Sequence, residues 1–589
     1  EEFFREIKGT VFESGKLFLL LGTDDYEDYE KTELIAFDLV SQEYETLSPE
    51  GVQSISAGPE GKLLAFIQAD ESAIWQYDVA SDTLEAQLVL MEGDTPAGIA
   101  CYDEKPIYYN QNRIILAEDV DQSLVKAYLP VMYSFGSTQA ACSKSGIYAY
   151  PDSNYVFLRD VSIEGEVSQK VLTLMGDVSP DIIIDFSIEN PDIAIVSVQS
   201  LNANELQQAA LSGDNSVDLF VLSAPGSFAA MRKKGYIASL NGNETLTADA
   251  KTLYPTIQEV IFDGDTLIGY PISINPQAWT VNETQWNNLG LGEYPTTYDE
   301  LFEKIALWLD VYADDYPEYT LSDMQQMGTD NLVSSIVEAY IAQMESQKEQ
   351  VTFDTADFRA ILQSVSDHLD LIAEDHDQWG MALLSSYNMG FGTSYADQDM
   401  MRMLIPPTAK ADEVRSLIAN ANILSVNAAS KQIDEATKFI EYYAAHLPDV
   451  TRYMLHPDLN DPIESATYKS RVATLQEELK ALETRLEDAD DNKKYEIEEE
   501  IVQKQLIIEY VSENKWDISP ESIDTFRAIA QNIYIPYQSV LLSKGSGGGY
   551  NTLISVIYQH CSDSFGAGEI EALIADLNRV STMIDLENM

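Results

Sequence analysis

The sequence predicts a multidomain protein, in which an all-β module of propeller-like repeats precedes an α/β region with an inserted helical hairpin. Three observations lead to this fold class. An apolar strand pattern recurs every 40–41 residues over the first 165 residues, strand–helix alternation replaces it near Val171, and two apolar stripes follow each other over residues 464–513. A chain of 589 residues also exceeds the size of a single hydrophobic core, so several domains are expected.

The N-terminal repeats are marked by an aspartate and an aliphatic residue at the end of a strand pair. The four copies, spaced 40, 41 and 41 residues apart, are Asp38-Leu39, Asp78-Val79, Asp119-Val120 and Asp160-Val161. A unit of about 40 residues with about four strands is typical of a β-propeller blade. A β-sandwich with recurring hairpins is the alternative. We therefore predict a propeller-like module of about four repeats over residues 1–167.

The remaining residues, 168–589, are predicted to form one α/β domain. Three strands and two helices alternate at its start, at Lys170–Met175, Pro180–Ser187, Ile193–Val198, Leu201–Leu211 and Val217–Leu222. Such alternation indicates a parallel sheet with helices on its faces. Beyond Thr297 the apolar spacing predicts mainly helices, among them Tyr298–Tyr312, for which Thr297 can act as the N-cap.

Residues 464–513 are predicted to form a helical hairpin inserted into this domain. The first apolar stripe runs from Val472 to Leu486 at 3–4 residue spacing, and the second runs from Ile497 to Val511. A polar stretch, Asp488–Lys494, separates them and can form the turn. The hairpin is either a docking arm for a partner or a decoration packed on its own domain.

The charge of the chain limits its partners. Ninety-eight acidic residues against 35 basic residues leave a net charge of −63, which disfavours nucleic acid and anionic membrane surfaces as partners. The sequence has no apolar run of 18 residues, so no membrane-spanning helix is expected.

The sequence contains no recognisable catalytic or metal-binding motif. The three cysteines, Cys101, Cys142 and Cys561, have neither a CxxC spacing nor a paired spacing with histidines, so no zinc site or disulfide framework is expected. A single Cys101–Cys142 disulfide is left open. The motifs of zinc proteases, serine hydrolases and phosphate-binding loops are absent, so we expect no enzyme activity, no cofactor and no metal.

Six short phrases in residues 186–301 carry a resemblance to a known family. They are Phe186–Pro191, Gly213–Phe220, Gly235–Leu240, Asp263–Pro271, Val281–Trp286 with Gly290-Leu291, and Pro295–Leu301. In this order they resemble the extracellular solute-binding proteins of bacterial ABC importers, in the large sugar-binding branch, although Val217 stands where that family usually has proline. Ile423–Val426 and Lys431–Ala445 are similar to the family's closing strand and helix.

The resemblance implies a two-lobed, periplasmic-binding-protein-like α/β fold that closes on its ligand by hinge motion. It further implies capture of a carbohydrate, a neutral oligosaccharide rather than a peptide, and its delivery to a membrane ABC permease by a monomeric protein. We then expect an extracellular protein, a surface lipoprotein of a Gram-positive bacterium whose signal segment is not part of this sequence. The alternatives are a secreted glycan-active enzyme with an ancillary propeller, and a surface sensor or adhesion scaffold without a transport role.

The resemblance also places candidate ligand-binding residues, because ligands of such folds lie between the lobes at the carboxyl ends of strands. Aromatic rings can stack on the C–H faces of a sugar while amides and hydroxyls bind its hydroxyl groups. We expect the strongest contributions from Trp279 and Tyr387, with little loss of stability on their removal if the rings face solvent. The full set is Ser223, Trp279, Asn282, Trp379, Ser386, Tyr387, Phe391, Tyr395, Trp516 and Tyr537.

Overall fold

A computed structural model gives the structure of the protein as two compact units. The first contains Glu1–Ser200, Asn215–Phe220 and Ser430–Phe439, and the second contains Leu201–Asp214, Val221–Ala429 and Ile440–Met589. The residues that the structure describes are 7–13, 15–22, 32–47, 51–59, 62–67, 73–78, 80–81, 83–89, 96–110, 112–119, 122–129, 140–152, 155–198, 216–326, 328–371, 380–386, 401–408, 415–487, 491–513, 515–543, 549–561 and 565–588.

The first unit opens with four small antiparallel sheets, in each of which the strands follow one another in chain order. The first sheet comprises β1 (Ile7–Glu13), β2 (Lys16–Gly22), β3 (Thr32–Asp38) and β4 (Tyr44–Thr46). The second comprises β5 (Val52–Ala57), β6 (Lys62–Ile67), β7 (Ala73–Asp78) and β8 (Thr83–Val89). The third comprises β9 (Ala97–Tyr102), β10 (Lys105–Asn110), β11 (Arg113–Asp119) and β12 (Gln122–Tyr128), and the fourth comprises β13 (Ala141–Cys142), β14 (Ile147–Asp152) and β15 (Tyr155–Asp160).

The repeated aspartate ends the third strand of its sheet and shapes the turn that follows. The Asp38 carboxylate accepts hydrogen bonds from the backbone N–H groups of Val40 and Ser41 at 2.8 and 2.9 Å. Asp78 accepts the equivalent bonds from Ala80 and Ser81 at 3.0 and 2.9 Å. These backbone donors lower the pKa of both carboxyl groups. The aspartate that recurs about every 40 residues in the sequence therefore marks a turn, because its side chain can replace a backbone hydrogen-bond acceptor there.

Consecutive sheets pack face to face through three apolar clusters. The first and second sheets share a cluster that includes Phe18, Leu20, Leu63 and Tyr77; the second and third share Leu64, Phe66, Ile99 and Tyr108; the third and fourth share Ile107, Tyr109, Tyr148 and Phe157. The second and third sheets thus bury both of their faces, which explains why their strands read as nearly continuous apolar runs.

The first strands of successive sheets lie beside one another, because β1 contacts β5, β5 contacts β9 and β9 contacts β13. Residues from these four strands and the turns after them line a cavity of about 930 Å³. Cys101 and Cys142 both line it and, like Cys561, are free thiols. Burial raises the pKa of the Cys142 thiol to about 11. The described N-terminal residues are thus small antiparallel sheets arranged in chain order.

The first unit also contains the start of the α/β region. Strand β16 (Lys170–Met175) pairs in parallel with β17 (Ile193–Val198) and with the beginning of β18 (Leu219–Ala224), and α1 (Pro180–Glu189) connects the first two. Phe186 of α1 packs edge to face on Phe439, with ring centroids 5.1 Å apart. The predicted strands at 170–175 and 193–198 are confirmed, whereas the predicted helix Leu201–Leu211 lies outside the described residues.

The second unit consists of two lobes. Lobe A is built on β18, β26 (Leu417–Val426) and β21 (Tyr270–Pro276), with β29 (Ile533–Tyr534) parallel to β26. Lobe B is built on β23 (Tyr319–Ser322), β24 (Met381–Ser385), β22 (Trp279–Asn282) and β25 (Met401–Leu404). Two short pairs, β19 (Phe262–Asp263) with β20 (Thr266–Leu267) and β27 (Ile463–Glu464) with β28 (Trp516–Ile518), lie outside these sheets.

The helices of the second unit include α9 (Ile433–Ala445), whose residues up to Phe439 belong to the first unit. They are α2 (Ser227–Lys233), α3 (Glu244–Ala250), α4 (Pro255–Ile261), α5 (Glu283–Asn288), α6 (Tyr298–Val311), α7 (Thr329–Ser346), α8 (Ala356–Asp367), α9 (Ile433–Ala445), α10 (Asp449–Leu455), α11 (Tyr468–Glu487), α12 (Asp491–Glu513), α13 (Pro520–Ala530), α14 (Gly549–Cys561) and α15 (Ala567–Asn588), with 3₁₀ turns at Asp323–Gln326 and Leu369–Leu371. Helices α6, α7, α8, α14 and α15 bury their apolar faces in one core around β22 and β24, and this core belongs to lobe B.

The predicted N-cap of α6 is confirmed. The Thr297 hydroxyl accepts the backbone N–H of Glu300 at 3.2 Å, and the Glu300 carboxylate accepts the N–H of Thr297 at 3.3 Å. This reciprocal capping box satisfies two backbone donors that the helix itself cannot satisfy. The hydrogen bonds to Thr296 and Thr297 also lower the pKa of Glu300. Local chemistry therefore sets the start of α6 in lobe B.

The predicted helical hairpin is also confirmed, as helices α11 and α12. Leu475, Ile497 and Val511 are buried between them, and the ion pairs Lys504–Glu478 at 2.7 Å and Arg485–Glu500 at 3.4 Å show that the helices run antiparallel. At the base, β27 pairs with β28, and the N–H of Ser465 donates to the carbonyl of Lys515 at 2.9 Å. None of the described helices is both long and apolar enough to cross a membrane.

Deletion of the hairpin is expected to leave ligand affinity within a few-fold of wild type. Since the chain enters and leaves through the β27–β28 pair, a short Gly/Ser linker can replace Thr467–Ser512 without moving lobe A. Calorimetric titration of a folded deletion variant measures the effect. Complete loss of binding by a variant that keeps its melting temperature would show that the hairpin takes part in the site.

Candidate functional site

Three stretches of chain join lobe A to lobe B. The first runs from Pro276 at the end of β21 to Trp279 at the start of β22, and the second from Leu404 in β25 to Leu417 in β26. The third leads from β29 to α14. In two-lobed folds that close around a ligand, such connections are where the lobes rotate about a few backbone torsions, and we refer to these three as the hinge connections.

A cavity of about 350 Å³ lies where these connections meet lobe B. Two helix faces form most of its wall. Helix α7 contributes residues at positions i, i+3, i+4, i+7 and i+8, and helix α14 contributes residues at i, i+1, i+4 and i+8. The lining residues are Gln277, Trp279, Tyr298, Asn331, Ser334, Ser335, Glu338, Ala339, Ser386, Pro406, Ser416, Ile418, Tyr550, Asn551, Ile554 and Tyr558. Pockets that combine apolar walls with a few convergent polar groups are typical of small-molecule sites.

Trp279 forms part of the cavity wall but belongs mainly to the core of lobe B. Only 5% of its surface is exposed, and its ring lies edge to face against Tyr298 with centroids 6.5 Å apart. Burial raises the pKa of Tyr298, so its phenol stays protonated at physiological pH. The start of β22 turns this side chain inward among the helices of lobe B, so the condition for a small loss of stability on its removal, a ring that faces solvent, is not met.

Asp323 fixes the position of Ser386 at the cavity. Its carboxylate accepts the backbone N–H of Ser386 at 2.8 Å, the Ser386 hydroxyl at 2.8 Å and the Ser385 hydroxyl at 3.1 Å. Burial raises the pKa of Asp323, and these donated bonds oppose that shift. With its hydroxyl proton directed to Asp323, Ser386 can present oxygen lone pairs to the cavity.

Glu338 and Tyr550 link the two helices that line the cavity. The Tyr550 phenol donates to the Glu338 carboxylate at 3.1 Å. Burial, together with the negative charge of Glu338, raises the pKa of Tyr550. The phenol therefore stays a donor, and the carboxylate is held on the cavity side of α7.

A second carboxylate of α7 lies next to the hinge connections. Glu345 accepts the hydroxyl of Ser539, in the third connection, at 2.7 Å and the hydroxyl of Tyr534, at the end of β29, at 3.3 Å. The neighbouring Ser346 and Ser416 hydroxyls are 2.7 Å apart. Burial raises the pKa of Glu345 to about 7. Helix α7 thus contacts the hinge at its C-terminal end and the cavity along its length.

Of the ten candidate residues proposed from sequence, Trp279 and Ser386 line this cavity. Asn282 is 2% exposed and caps α5 by accepting the N–H of Gln285 at 3.0 Å. Three others lie apart from the cavity wall: Ser223 near the end of β18, Trp516 at the base of the hairpin under Lys515, and Tyr537 beneath the Arg232 guanidinium. Trp379, Tyr387, Phe391 and Tyr395 lie outside the described residues, so their role stays a prediction.

The residues that sequence reasoning missed lie on α7 and α14. Asn331, Ser334, Ser335 and Glu338 form a polar stripe at helical spacing, with Leu332, Val333, Ile336 and Val337 buried on the opposite side. The stripe could be read from the sequence, but a polar helix face is ordinarily solvent-exposed. Among the described residues, no group of three or more His, Cys, Asp or Glu side chains is placed to hold a metal ion.

A search of protein-family models matches a part of the chain that contains most of the cavity wall, including helix α7, but not helix α14. Residues 173–446 match the model described as "Bacterial extracellular solute-binding protein". The match begins in β16 and ends just after α9, so it covers strands of both lobes and two of the three connections. A search of curated protein sequences found no match.

Several solved structures align with about 70% of the chain. The galacto-N-biose/lacto-N-biose I-binding protein of an ABC transporter from Bifidobacterium longum aligns at 12% identity over 72% of this chain and 98% of that chain, with a TM-score of 0.45. The GacH receptor of Streptomyces glaucescens aligns at 14% over 71% and 97%, with a TM-score of 0.43. The maltose-bound MalE3 of T. maritima aligns at 12% over 70% and 99%, with a TM-score of 0.42.

Proposed function

We propose that the protein is an extracellular solute-binding protein that captures a carbohydrate in the cavity between its lobes and delivers it to an ABC permease. The observation that carries this proposal is the family match over residues 173–446, in a chain whose cavity lies at the connections between two lobes. Closure of the lobes about these connections would enclose a ligand and present one conformation to the permease.

The cavity chemistry favours a neutral oligosaccharide. Hydroxyl and amide side chains of Ser334, Ser386, Asn331 and Asn551 can exchange hydrogen bonds with sugar hydroxyls, and tyrosine rings can cover the C–H faces of a pyranose. Lys, Arg and His are missing from the described lining residues, so an anionic ligand would enter without a counter-charge. We further propose that binding occurs without chemical conversion of the sugar.

The most exposed aromatic ring of the cavity supplies the test. Tyr558 is 46% exposed on α14, and its replacement by alanine is expected to weaken oligosaccharide binding about tenfold, because a stacking face contributes about 0.5–1.5 kcal/mol beyond its buried area. Calorimetric titration with malto- and cello-oligosaccharides measures the loss, and chromatography after long incubation tests for cleavage.

Tyr495→Ala is the matched control, because Tyr495 is 70% exposed on the hairpin and does not line the cavity. Its affinity should equal that of wild type. Equal affinity in Tyr558→Ala would remove this ring from the site, and a cleaved sugar would contradict the transport function itself.

For the N-terminal module, residues 1–167, we propose a propeller-like arrangement that folds separately from residues 168–589. Its support is the face-to-face packing of consecutive sheets and the shared cavity lined by the first strand of each sheet. We also propose that the protein is monomeric and attached to the surface of a Gram-positive cell as a lipoprotein, in keeping with its acidic composition and the extracellular family that residues 173–446 match.

A further inference from the structure

One side chain ties together the two ends of the second hinge connection. The guanidinium of Arg415 donates hydrogen bonds to the backbone carbonyls of Ile405 and Pro406, and its Nη2 lies 2.9 Å from the Pro406 oxygen. We propose that Arg415 is a hinge clamp, a positioning residue that holds lobe A and lobe B in the orientation described here. This inference rests on the proposed function, because it concerns the rotation of the lobes that closure on a ligand requires.

The two carbonyl groups that accept these bonds are attached to lobe B. Ile405 and Pro406 directly follow β25 of the lobe B sheet. Two residues further on, the N–H of Thr408 donates to the carbonyl of Thr296 at 3.0 Å, and the N–H of Tyr298 donates to the carbonyl of Thr408 at 3.1 Å, at the start of α6. The acceptors therefore lie between two attachments to lobe B and move with that lobe.

The main chain of Arg415 is attached to lobe A instead. Its carbonyl accepts a hydrogen bond from the side-chain amide of Asn532 at 2.8 Å, and the N–H of Leu417 donates to the carbonyl of Asn532 at 2.8 Å. Leu417 also pairs with Ile533 of β29 in lobe A. The side chain of Arg415 thus reaches from the lobe A end of the connection to its lobe B end. A rotation of the lobes about this connection moves the guanidinium away from its acceptors.

The surroundings of Arg415 make these bonds resist such a rotation. The side chain is half-buried, and burial lowers its pKa, while the charge of Glu300 opposes this shift. An arginine still remains charged at physiological pH, so the bonds to the carbonyl groups are charge-assisted. The planar guanidinium also fixes the directions of its donors. A change in lobe orientation therefore breaks several directional hydrogen bonds at once.

The clamp also joins two residues of the cavity wall. Pro406, which accepts from the guanidinium, and Ser416, which follows Arg415 in the chain, both line the cavity. The Ser416 hydroxyl lies 2.7 Å from that of Ser346 at the C-terminal end of α7. The bonds of Arg415 therefore couple the shape of the cavity to the orientation of the lobes.

The experiment measures the distance between the lobes by pulsed electron paramagnetic resonance. Spin labels are attached to a keto amino acid introduced at Ala248 of α3 and at Ala306 of α6, so that the native cysteines stay in place. Both positions are exposed, and α3 is attached to lobe A by the hydrogen bond from Tyr270 in β21 to Asp249. For the wild-type protein without ligand we expect one dominant distance.

The decisive variant is Arg415→Gln, which removes the charge and most of the donors. We expect it to show a second distance, whose population is about tenfold higher than in wild type, because the bonds that disfavour other orientations are lost. Arg415→Lys keeps the charge but not the planar arrangement of donors. It should show the same second distance at a smaller population, and it answers the question if Arg415→Gln does not fold.

Arg359→Gln is the matched control. Arg359 forms exposed ion pairs with Asp354 at 2.7 Å and Glu571 at 2.6 Å, within lobe B, so its replacement makes the same change in net charge away from the hinge connections. We expect this variant to keep the wild-type distance distribution. Melting temperatures check that every variant is folded.

The outcomes separate this inference from the proposed function. A wild-type distance distribution in both Arg415 variants would overturn the clamp, and a shift of that distribution on addition of maltotetraose would leave the proposed function standing. A second distance in Arg359→Gln as well would assign the effect to net charge and would also overturn the clamp. A second distance in the Arg415 variants alone, with neither maltotetraose nor cellotetraose bound by the wild-type protein, would support the clamp and contradict the proposed function.

Discussion

Replacement of Trp279 by alanine is expected to destabilise the protein by about 3–5 kcal/mol, the usual cost of removing a large aromatic side chain from a core. Trp279 is 5% exposed, contacts Tyr298 edge to face and belongs to the main apolar core of lobe B. Its loss leaves a cavity at the start of β22, which the surrounding helices can fill only in part. Denaturant unfolding, followed by fluorescence and circular dichroism, measures the change.

Trp516→Ala is the matched control, because Trp516 is only partly buried at the base of the hairpin and lies outside that core. We expect it to lose no more than about 1 kcal/mol, as is usual for positions away from a packed core. A loss of about 1 kcal/mol or less in Trp279→Ala as well would contradict the burial of its ring. The variant Trp279→Phe keeps most of the packing of the core. Oligosaccharide binding can therefore be measured on a folded protein that lacks the indole ring.

The stability of lobe B is expected to fall as the pH rises from about 4.5 to about 7. Burial of Glu345 raises its pKa in the folded protein to about 7 from an ordinary value of 4.5. Within this window the folded state binds more protons than the unfolded state. The contribution of protonated Glu345 to stability is therefore complete below its ordinary pKa of 4.5, and it is lost as the pH rises through the pKa of the folded protein, about 7. The loss amounts to about 2–3 kcal/mol.

Glu345→Gln tests this prediction, because glutamine can still accept hydrogen bonds from Ser539 and Tyr534 but carries no charge at any pH. The variant should be more stable than wild type at pH 8 by about 2–3 kcal/mol, and the two proteins should be equally stable near pH 4. Glu349→Gln, at an exposed position close by, should follow the wild-type profile. A wild-type pH profile for Glu345→Gln would show that Glu345 ionises normally in the folded protein.

Much of the local structure could be predicted from the sequence, because it depends on short-range chemistry. Strands β16 and β17 and the capping box at Thr297 follow from apolar runs and from cap and turn residues that act within a few positions. The repeated aspartates marked small sheets for the same reason, since the carboxylates of Asp38 and Asp78 bind backbone N–H groups two and three residues further on. The hairpin could be predicted because two apolar stripes follow each other along the chain and can pack against each other.

The composition of the site could not be predicted in the same way. Aromatic residues are the natural candidates for a sugar site, yet Trp279 lies mainly in the core and Trp516 lies under Lys515 at the hairpin. The polar stripe on α7 has the periodicity of an ordinary solvent-exposed helix face. Only the packing of α7 against α14 and the hinge connections makes that face a cavity wall.

By itself the sequence determined where the small sheets of the repeats, the first parallel strands, the helix that begins at Tyr298 and the hairpin lie along the chain, and it indicated a solute-binding fold with a strongly acidic composition. Turn residues, helix caps and apolar periodicity act over a few positions, and so they can be read from a single chain. The tertiary structure alone decided that Glu338 lies beside Tyr550 and that Glu345 contacts the third connection. These pairs join residues about 190 to 210 positions apart, and the packing of whole elements, rather than any local preference, brings such residues together.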